Sequence, residues 1–398
     1  MNKSTHFTGQ PIYCQLINLI PKELVLKISN QHQSDRYCKK FTTWNHLATM
    51  LFSCWGGCTS LREVSTGMRA LEGKLASSGI NYFPTRSTFS DANARRSSEV
   101  FEEIYFKLKE YWDSVLSDSR KSNSNIFFMD STVISLFQEI FKNSGSSKAD
   151  GRRKGGLKVH TVINEQSFSP QIVNITDGAV NDITFMSKVA VPAGSTIIMD
   201  RGYRSYKYYN LWTKQNIRWV TRLREPCYWR PKKYYLVSEE QKQAGVLSDE
   251  CVRLGFPQKK TEKVKCRLIR FWDQKNKKEF EFLTNDFISE PATIADLYKK
   301  RWAVELLFKR LKQNMPLQYF LGDNQNAIRI QIWCALIADL LINVIKKQLK
   351  KSWAFSSIVS LVRLHLFNYL NLISFLNNPE SAIISSKPSR QIKIVFSG

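Results

Sequence analysis

Two short runs of apolar, β-prone residues, Ile126-Phe127-Phe128-Met129 and Thr196-Ile197-Ile198-Met199, each end in an aspartate, Asp130 and Asp200. Runs of this length bounded by polar or glycine residues predict buried strands. Open α/β sheets place their ligands at the C-terminal ends of such strands. The segments 157–163 and 171–175 predict two more strands joined by a short polar turn, as in a hairpin. A helix near 183–190 leads to the strand ending at Asp200, a second helix covers 206–214, and 219–223 predicts a further strand. An aspartate ending a strand also serves as a turn or helix-cap residue, and either one taken singly reads that way.

A third acid changes that reading. Tyr298, Arg301, Glu305 and Lys312 lie on a segment with helical periodicity. At about 100° per residue the four fall within a ~60° stripe, about 21 Å from first to last. Leu297, Val304, Leu307, Phe308 and Leu311 occupy the neighbouring arc, which predicts a core-facing side. A lone acid among bases usually marks a solvated face with i,i+4 pairs. With two strand-end aspartates upstream, a carboxylate among cations suits a metal ion, and the long row of cations suits a polyanionic strand.

Charge agrees. Lys+Arg number 59 against 34 Asp+Glu, a formal net charge of +25, as expected of a nucleic-acid binder. Membrane-surface binding competes for such a charge, but no uninterrupted apolar stretch of spanning length is expected: Ile330 to Ile345 is broken by Gln331, Asp339 and Asn343. The opening residues lead into no signal-peptide core. Eight cysteines form no CxxC pair, which predicts a reduced, cytoplasmic setting. Cys54 and Cys58 stand i,i+4 with only His46 near in sequence, and they read as packing residues rather than zinc ligands.

The spacing Tyr298-x2-Arg301-x3-Glu305-x6-Lys312, with Asp130-Ser-Thr and Asp200-Arg-Gly-Tyr, resembles the DDE transposases of bacterial insertion sequences of the "insertion sequence four" type. The stretch Thr85 to Ser90 with Asn93 is also similar to this family, so the resemblance covers most of the chain. It implies a ribonuclease-H-like catalytic core, in which the two strand-end aspartates lie side by side and a later helix brings the third acid. The catalytic and metal-binding residues would be Asp130, Asp200 and Glu305. All-oxygen ligation selects hard cations, hence Mg²⁺ with Mn²⁺ as substitute, and Asp130 would bridge two of them. Water attacks the transposon end, and the freed 3′-hydroxyl then attacks target DNA. Tyr298, Arg301 and Lys312 would position the DNA end. Double-stranded DNA and a second protomer are the implied partners, in a nucleoid-associated protein.

Residues 1–120 predict a mostly helical N-terminal domain, with 121–224 the first part of the catalytic core and 225–286 a β-rich insertion. Residues 287–380 supply its C-terminal helices and 381–398 a tail. Ser60 to Glu63 fits a capping box, and Ser87 or Thr88 would cap a helix bearing Arg95 and Arg96. This pattern fits a helix-turn-helix as well as a plain bundle; Arg86 and Arg95 are its candidate DNA contacts. Lys148, Arg152, Arg153 and Lys154 lie in a Gly/Ser-rich loop, either a surface loop or a DNA-backbone contact. Lys158 and His160 share a strand face. In the insertion, Lys259, Lys260, Lys263 and Lys265 alternate with Tyr228, Trp229 and Trp272, as in a strand-tracking groove with stacking platforms. Aromatics in strands are also simply good packers. The resemblance implies an insertion that handles a flipped base. The apolar tail from Asn326 to Leu376 predicts helices covering the catalytic sheet, or a dimer surface. A DNA-binding regulator without catalysis and a nuclease without strand transfer are the alternative functions.

Overall fold

A computed structural model describes residues 9–117, 125–135, 156–167, 169–256, 262–315, 317 and 319–380. The Lys148 to Lys154 loop and Lys259 and Lys260 lie outside the described residues. The chain divides into two compact units, one of residues 1–116 with 310–398, the other of residues 117–309.

The second unit is built on one nine-stranded mixed sheet. Its strands are β1 (Ile126–Ser135), β2 (Gly156–Asn164), β3 (Pro170–Asp177), β4 (Thr196–Met199), β5 (Arg218–Arg222), β6 (Trp229–Tyr234), β7 (Val246–Leu254), β8 (Val264–Asp273) and β9 (Lys278–Thr284). They lie in the order β3-β2-β1-β4-β5-β9-β8-β7-β6. The hairpin strands β1 to β3 pair antiparallel, and β1, β4 and β5 pair parallel. The β-rich segment is not set apart from that sheet. β9 pairs antiparallel with β5, from Val220↔Thr284 to Arg222↔Phe282, so the ladder of β5 continues outward. The edge that β5 would otherwise expose is thereby satisfied.

Tyr206–Lys214 is helical at the position its spacing predicts, and it buries Tyr209 and Trp212. The Tyr209 ring stacks on Trp219 of β5 at 4.3 Å, and both belong to one apolar core with Phe127, Met129, Ile197 and Met199. The predicted helix at 183–190 is a 3₁₀ turn, Asp182–Lys188, capped by the Asn181 side chain.

The first unit is helical. Gln325–Gln348 is its central helix, long and apolar enough to cross a membrane by length and composition, but almost wholly buried by its neighbours. Its polar interruptions are consumed inside the unit. Asp339 accepts two 2.7 Å bonds from Arg310, and Gln331 accepts from Leu321 N and donates to Tyr319 O. Trp333 meets the rings of Tyr105 and Phe106 at 5.7 and 5.8 Å. The C-terminal helices therefore pack on the N-terminal ones and form one unit with them, whereas the sequence assigned them to the catalytic sheet. Their apolar faces find aromatic partners on the helix Ser98–Tyr111, a pairing that periodicity alone does not specify.

Two helix starts depart in part from their sequence pattern, the Glu63 carboxylate accepting from Thr59 N–H at 2.7 Å. Ser60 accepts from Glu63 N, and Thr85, three residues before Thr88, caps the helix Arg86–Arg95 in place of Ser87 or Thr88. Arg86 and Arg95 are exposed, nine residues apart and therefore about 180° apart around that helix. They cannot share one face. Arg96 is buried instead, donating to His46 Nδ1 at 2.9 Å, while His46 Nε2 meets Asn93 Oδ1 at 2.7 Å. Those contacts fix a neutral His46 and leave it no role beside Cys54 and Cys58. Both thiols are pushed up to about 12, chiefly by burial.

Burial, then the Arg96 charge, holds the His46 imidazole well below its ordinary value. An unfolded chain binds a proton there below about pH 6.5 and the native one does not, so stability is lost as pH falls through that range. The stability gap between wild type and His46→Gln is therefore expected to narrow steadily from pH 7 to pH 5. Urea unfolding at each pH measures it, and a gap independent of pH contradicts the assignment.

Candidate active site

The parallel register between β1 and β4 fixes the first two acids. Phe127 lies beside Ile197 and Met129 beside Met199, so the next residues, Asp130 within β1 and Asp200 just past β4, stand at the same level. Asp130 does not end its strand, as its sequence suggests. β1 runs on to Ser135 against β2, with Asp130 opposite Thr161 and Ser131 opposite His160. The polar Ser131-Thr132 pair reads as a strand end in sequence, but the antiparallel partner carries it further.

Arg301 joins two helices. The helix Pro291–Lys300 stops there and a second helix, Trp302–Asn314, begins after it. Arg301 itself keeps helical backbone angles, φ −53° and ψ −29°, and faces Glu305 one turn on, as the stripe requires. Its guanidinium donates to Asp130 Oδ2 at 2.6 Å and to Glu305 Oε1. This is a fork between two carboxylates from a strand and a helix. Asp130 also accepts from Ser131 N at 2.8 Å, and Asp200 accepts from Gly202 N at 3.2 Å and pairs with Arg222 at 3.3 Å.

The two aspartates titrate apart. Burial pushes the Asp130 carboxyl up to about 6, against the pull of Arg301 and the Ser131 N–H, with Asp200 and Glu305 adding to the rise. Burial also acts on Asp200, but the Gly202 N–H, then Arg301 and Arg222, hold it below the ordinary carboxylate range. Crowded acids kept charged only by neighbouring cations are a frequent mark of functional sites.

Tyr298 is buried, not offered at a surface. Its ring packs 5.1 Å from Phe282, with the Arg222 and Arg301 guanidiniums 5.4 and 5.7 Å from its centroid. It braces the two arginines. Lys312 lies on the helix Trp302–Asn314 beyond Glu305, past the division at Arg310, partly buried and with its ammonium pushed down by burial. Trp229 packs against the apolar core with Arg270 over its ring, and Trp272 is partly buried within β8, which makes both packers first.

The structure thus brings together Asp130, Asp200, Glu305, Arg301 and Tyr298, whereas Arg86, Arg95 and Lys312 belong to the other unit. Among the described residues no three acids, imidazoles or thiols stand close enough to hold a metal as the side chains lie. The donor set nevertheless fits a hard cation: it is all carboxylate oxygen, and a cationic group already bridges it. Sequence reasoning missed Arg222, which reads only as a polar residue ending β5, and Asp182, which reads only as a helix-start residue.

Comparison with known proteins gives the family. Residues 121–341 match the family described as transposase DDE domain, and residues 8–81 match a domain of unknown function, DUF4372. A Sinorhizobium fredii protein named as transposase y4zB is 32% identical over 263 residues, 66% of this chain and 71% of its own. A Synechocystis protein named as a transposase for insertion sequence element IS4SA is 27% identical over 304 residues, 74% of this chain and 80% of its own. Among solved structures, the piggyBac transposase synaptic complex with hairpin DNA aligns with a TM-score of 0.42 at 10% identity, covering 98% of this chain and 81% of that one, a level that carries no argument. The family match spans more than half of the sequence, and the chain belongs to the DDE transposases of insertion-sequence elements.

Proposed function

We propose that the chain binds transposon ends as double-stranded DNA, cleaves a phosphodiester bond there, and joins the freed 3′-hydroxyl to target DNA. Asp130, Asp200 and Glu305 are its metal-binding catalytic acids, of the "insertion sequence four" type. The observation that carries this reading is the Arg301 fork. One guanidinium satisfies Asp130 and Glu305 beside Asp200, at a point where two parallel strands and a helix converge. The order β3-β2-β1-β4-β5, with its parallel step from β1 to β4, supports a ribonuclease-H-like core.

Divalent cations, Mg²⁺ or Mn²⁺, when bound to these three carboxylates supply charge relief on the attacking and leaving oxygens of an in-line displacement. The residues themselves prepare the site. Arg222 and the Gly202 N–H keep Asp200 ionised. Arg301 holds Asp130 charged in a buried setting, and once displaced from the acids its fork matches a phosphate. Tyr298 limits its swing from below. Lys312 serves a second phosphate of the same end.

Strand contact outside the acids falls to the sheet edge rather than to Trp229 and Trp272. β6 is an exposed edge strand carrying Arg230, Lys232 and Lys233, with Arg230 5.5 Å from the Tyr228 ring and Lys233 5.2 Å from Tyr235. Lysines and a proline on an edge also guard against aggregation, but cations over tyrosine rings suit a backbone with stacking bases. Two protomers pair the two ends, and Arg86 and Arg95 contribute to end binding on separate faces.

Alanine at Asp130, Asp200 or Glu305 is expected to lower nicking of a transposon end by about 10²-fold or more, with end binding retained. A gel assay of supercoiled or labelled-end DNA measures the first and a mobility shift the second. Normal nicking by Glu305→Ala removes the acid assignment. Arg301→Ala is expected to act in two opposed ways. With the internal cation gone, the free protein should bind Mn²⁺ more tightly in a titration, while nicking of the intact end should fall. Weaker Mn²⁺ binding by that variant would mean that Arg301 builds the acid site rather than occupying it.

A further inference from the structure

A second charged cluster lies against the first, and none of its members has a part in the cleavage proposed above. Asp182 opens the 3₁₀ turn after β3 and accepts from Ser131 Oγ at 2.9 Å. Its Oδ1 also stands 3.2 Å from Lys158 Nζ and 3.6 Å from His160 Nδ1. His160 is fully buried, stacked on Phe185 at 5.1 Å and directly across the ladder from Ser131. Lys158 is itself fixed by a 3.0 Å bond to Val180 O. Three side chains from two strands thus converge on one carboxylate oxygen.

That carboxylate adjoins the acids. A β-carbon placed at Gly202 would lie 3.6 Å from Asp200 Oδ2 and 4.0 Å from Asp182 Oδ2, so both oxygens border the same glycine. Ser131 connects Asp182 to Asp130: its hydroxyl binds Asp182 from one side of β1, while its N–H holds Asp130 Oδ1. Successive residues of a strand face opposite sides, so a clamp on the Ser131 side chain fixes the backbone from which Asp130 projects.

Building on the acid site proposed above, we propose that Asp182 is a positioning residue. Through Ser131 it sets the place of the Asp130 carboxylate for the metal, and Lys158 holds Asp182 there and offsets its charge. Outer contacts of this kind are commonly worth 10–100-fold in metal affinity.

Mn²⁺ binding to the purified full chain, read by electron paramagnetic resonance of the free ion, tests this without any turnover. Asp182→Ala and Ser131→Ala are each expected to raise the Mn²⁺ dissociation constant by about 10-fold. The double variant should be no worse than either single one, because both cut the same connection. Asp182→Asn, which can still accept from Ser131, should stay within about threefold of wild type. If Asp182→Ala fails to fold, because Lys158 loses its ion pair, Ser131→Ala carries the test alone. Wild-type binding by a folded Ser131→Ala, or additive losses in the double variant, overturns the proposal, and so does an Asp182→Asn as weak as the alanine. Asp130→Ala is the control: it must lose Mn²⁺ binding, and if it does not, the acid site itself fails and not merely its positioning.

Discussion

Carboxylates brought together inside a protein repel one another and lose their hydration, and they stay ionised only beside a compensating cation. Here that cation is Arg301, donating at once to Asp130 and Glu305 and lowering Asp200 through space. Much of the second unit follows from delivering those groups to one point. Parallel pairing of β1 and β4 puts the aspartates level. Arg301, helical in its own backbone between two helices, reaches both carboxylates, and the Tyr298 ring lies 5.7 Å from its guanidinium and 5.4 Å from that of Arg222. Removing either carboxylate would leave one arm of a largely buried guanidinium unmet, an expensive change in a low-dielectric site.

The same arrangement suits the proposed exchange of partners. A guanidinium delivers one positive charge to two oxygens at once, but it is tethered and can turn away to a phosphate. On the proposed reading, the acids would pass from arginine to metal and the arginine from acids to DNA. Asp182 follows the same rule one layer out, since Lys158 neutralises it before it borders Asp200.

Local pattern carried a good part of this. The apolar runs before Asp130 and Asp200 are strands, and the helix over Tyr206–Lys214 is where its spacing puts it. The buried arc of Val304, Leu307, Phe308 and Leu311 also faces inward as its periodicity demands. What the pattern could not carry is whatever depends on partners distant in sequence. β1 outruns Asp130 because β2 pairs with its continuation. The Arg301 side chain, which looks free in sequence to meet a phosphate, is bound to two acids. Asp182 gives no sign in sequence, because its partners are Ser131, Lys158 and His160 on two separate strands. The C-terminal helices read correctly as apolar, but their periodicity holds nothing to say that they join the N-terminal helices.

The exchange of arginine for metal is the claim on which everything else rests. A crystal structure of the protein grown with Mn²⁺ and a transposon-end DNA, with the ion located by its anomalous scattering, tests it most directly. The account predicts Mn²⁺ within about 2.0–2.4 Å of carboxylate oxygens of Asp130 and Asp200 or Glu305, and an Arg301 side chain turned onto a DNA phosphate. Mn²⁺ bound elsewhere, with Arg301 still joining Asp130 to Glu305 in the presence of DNA, would contradict it.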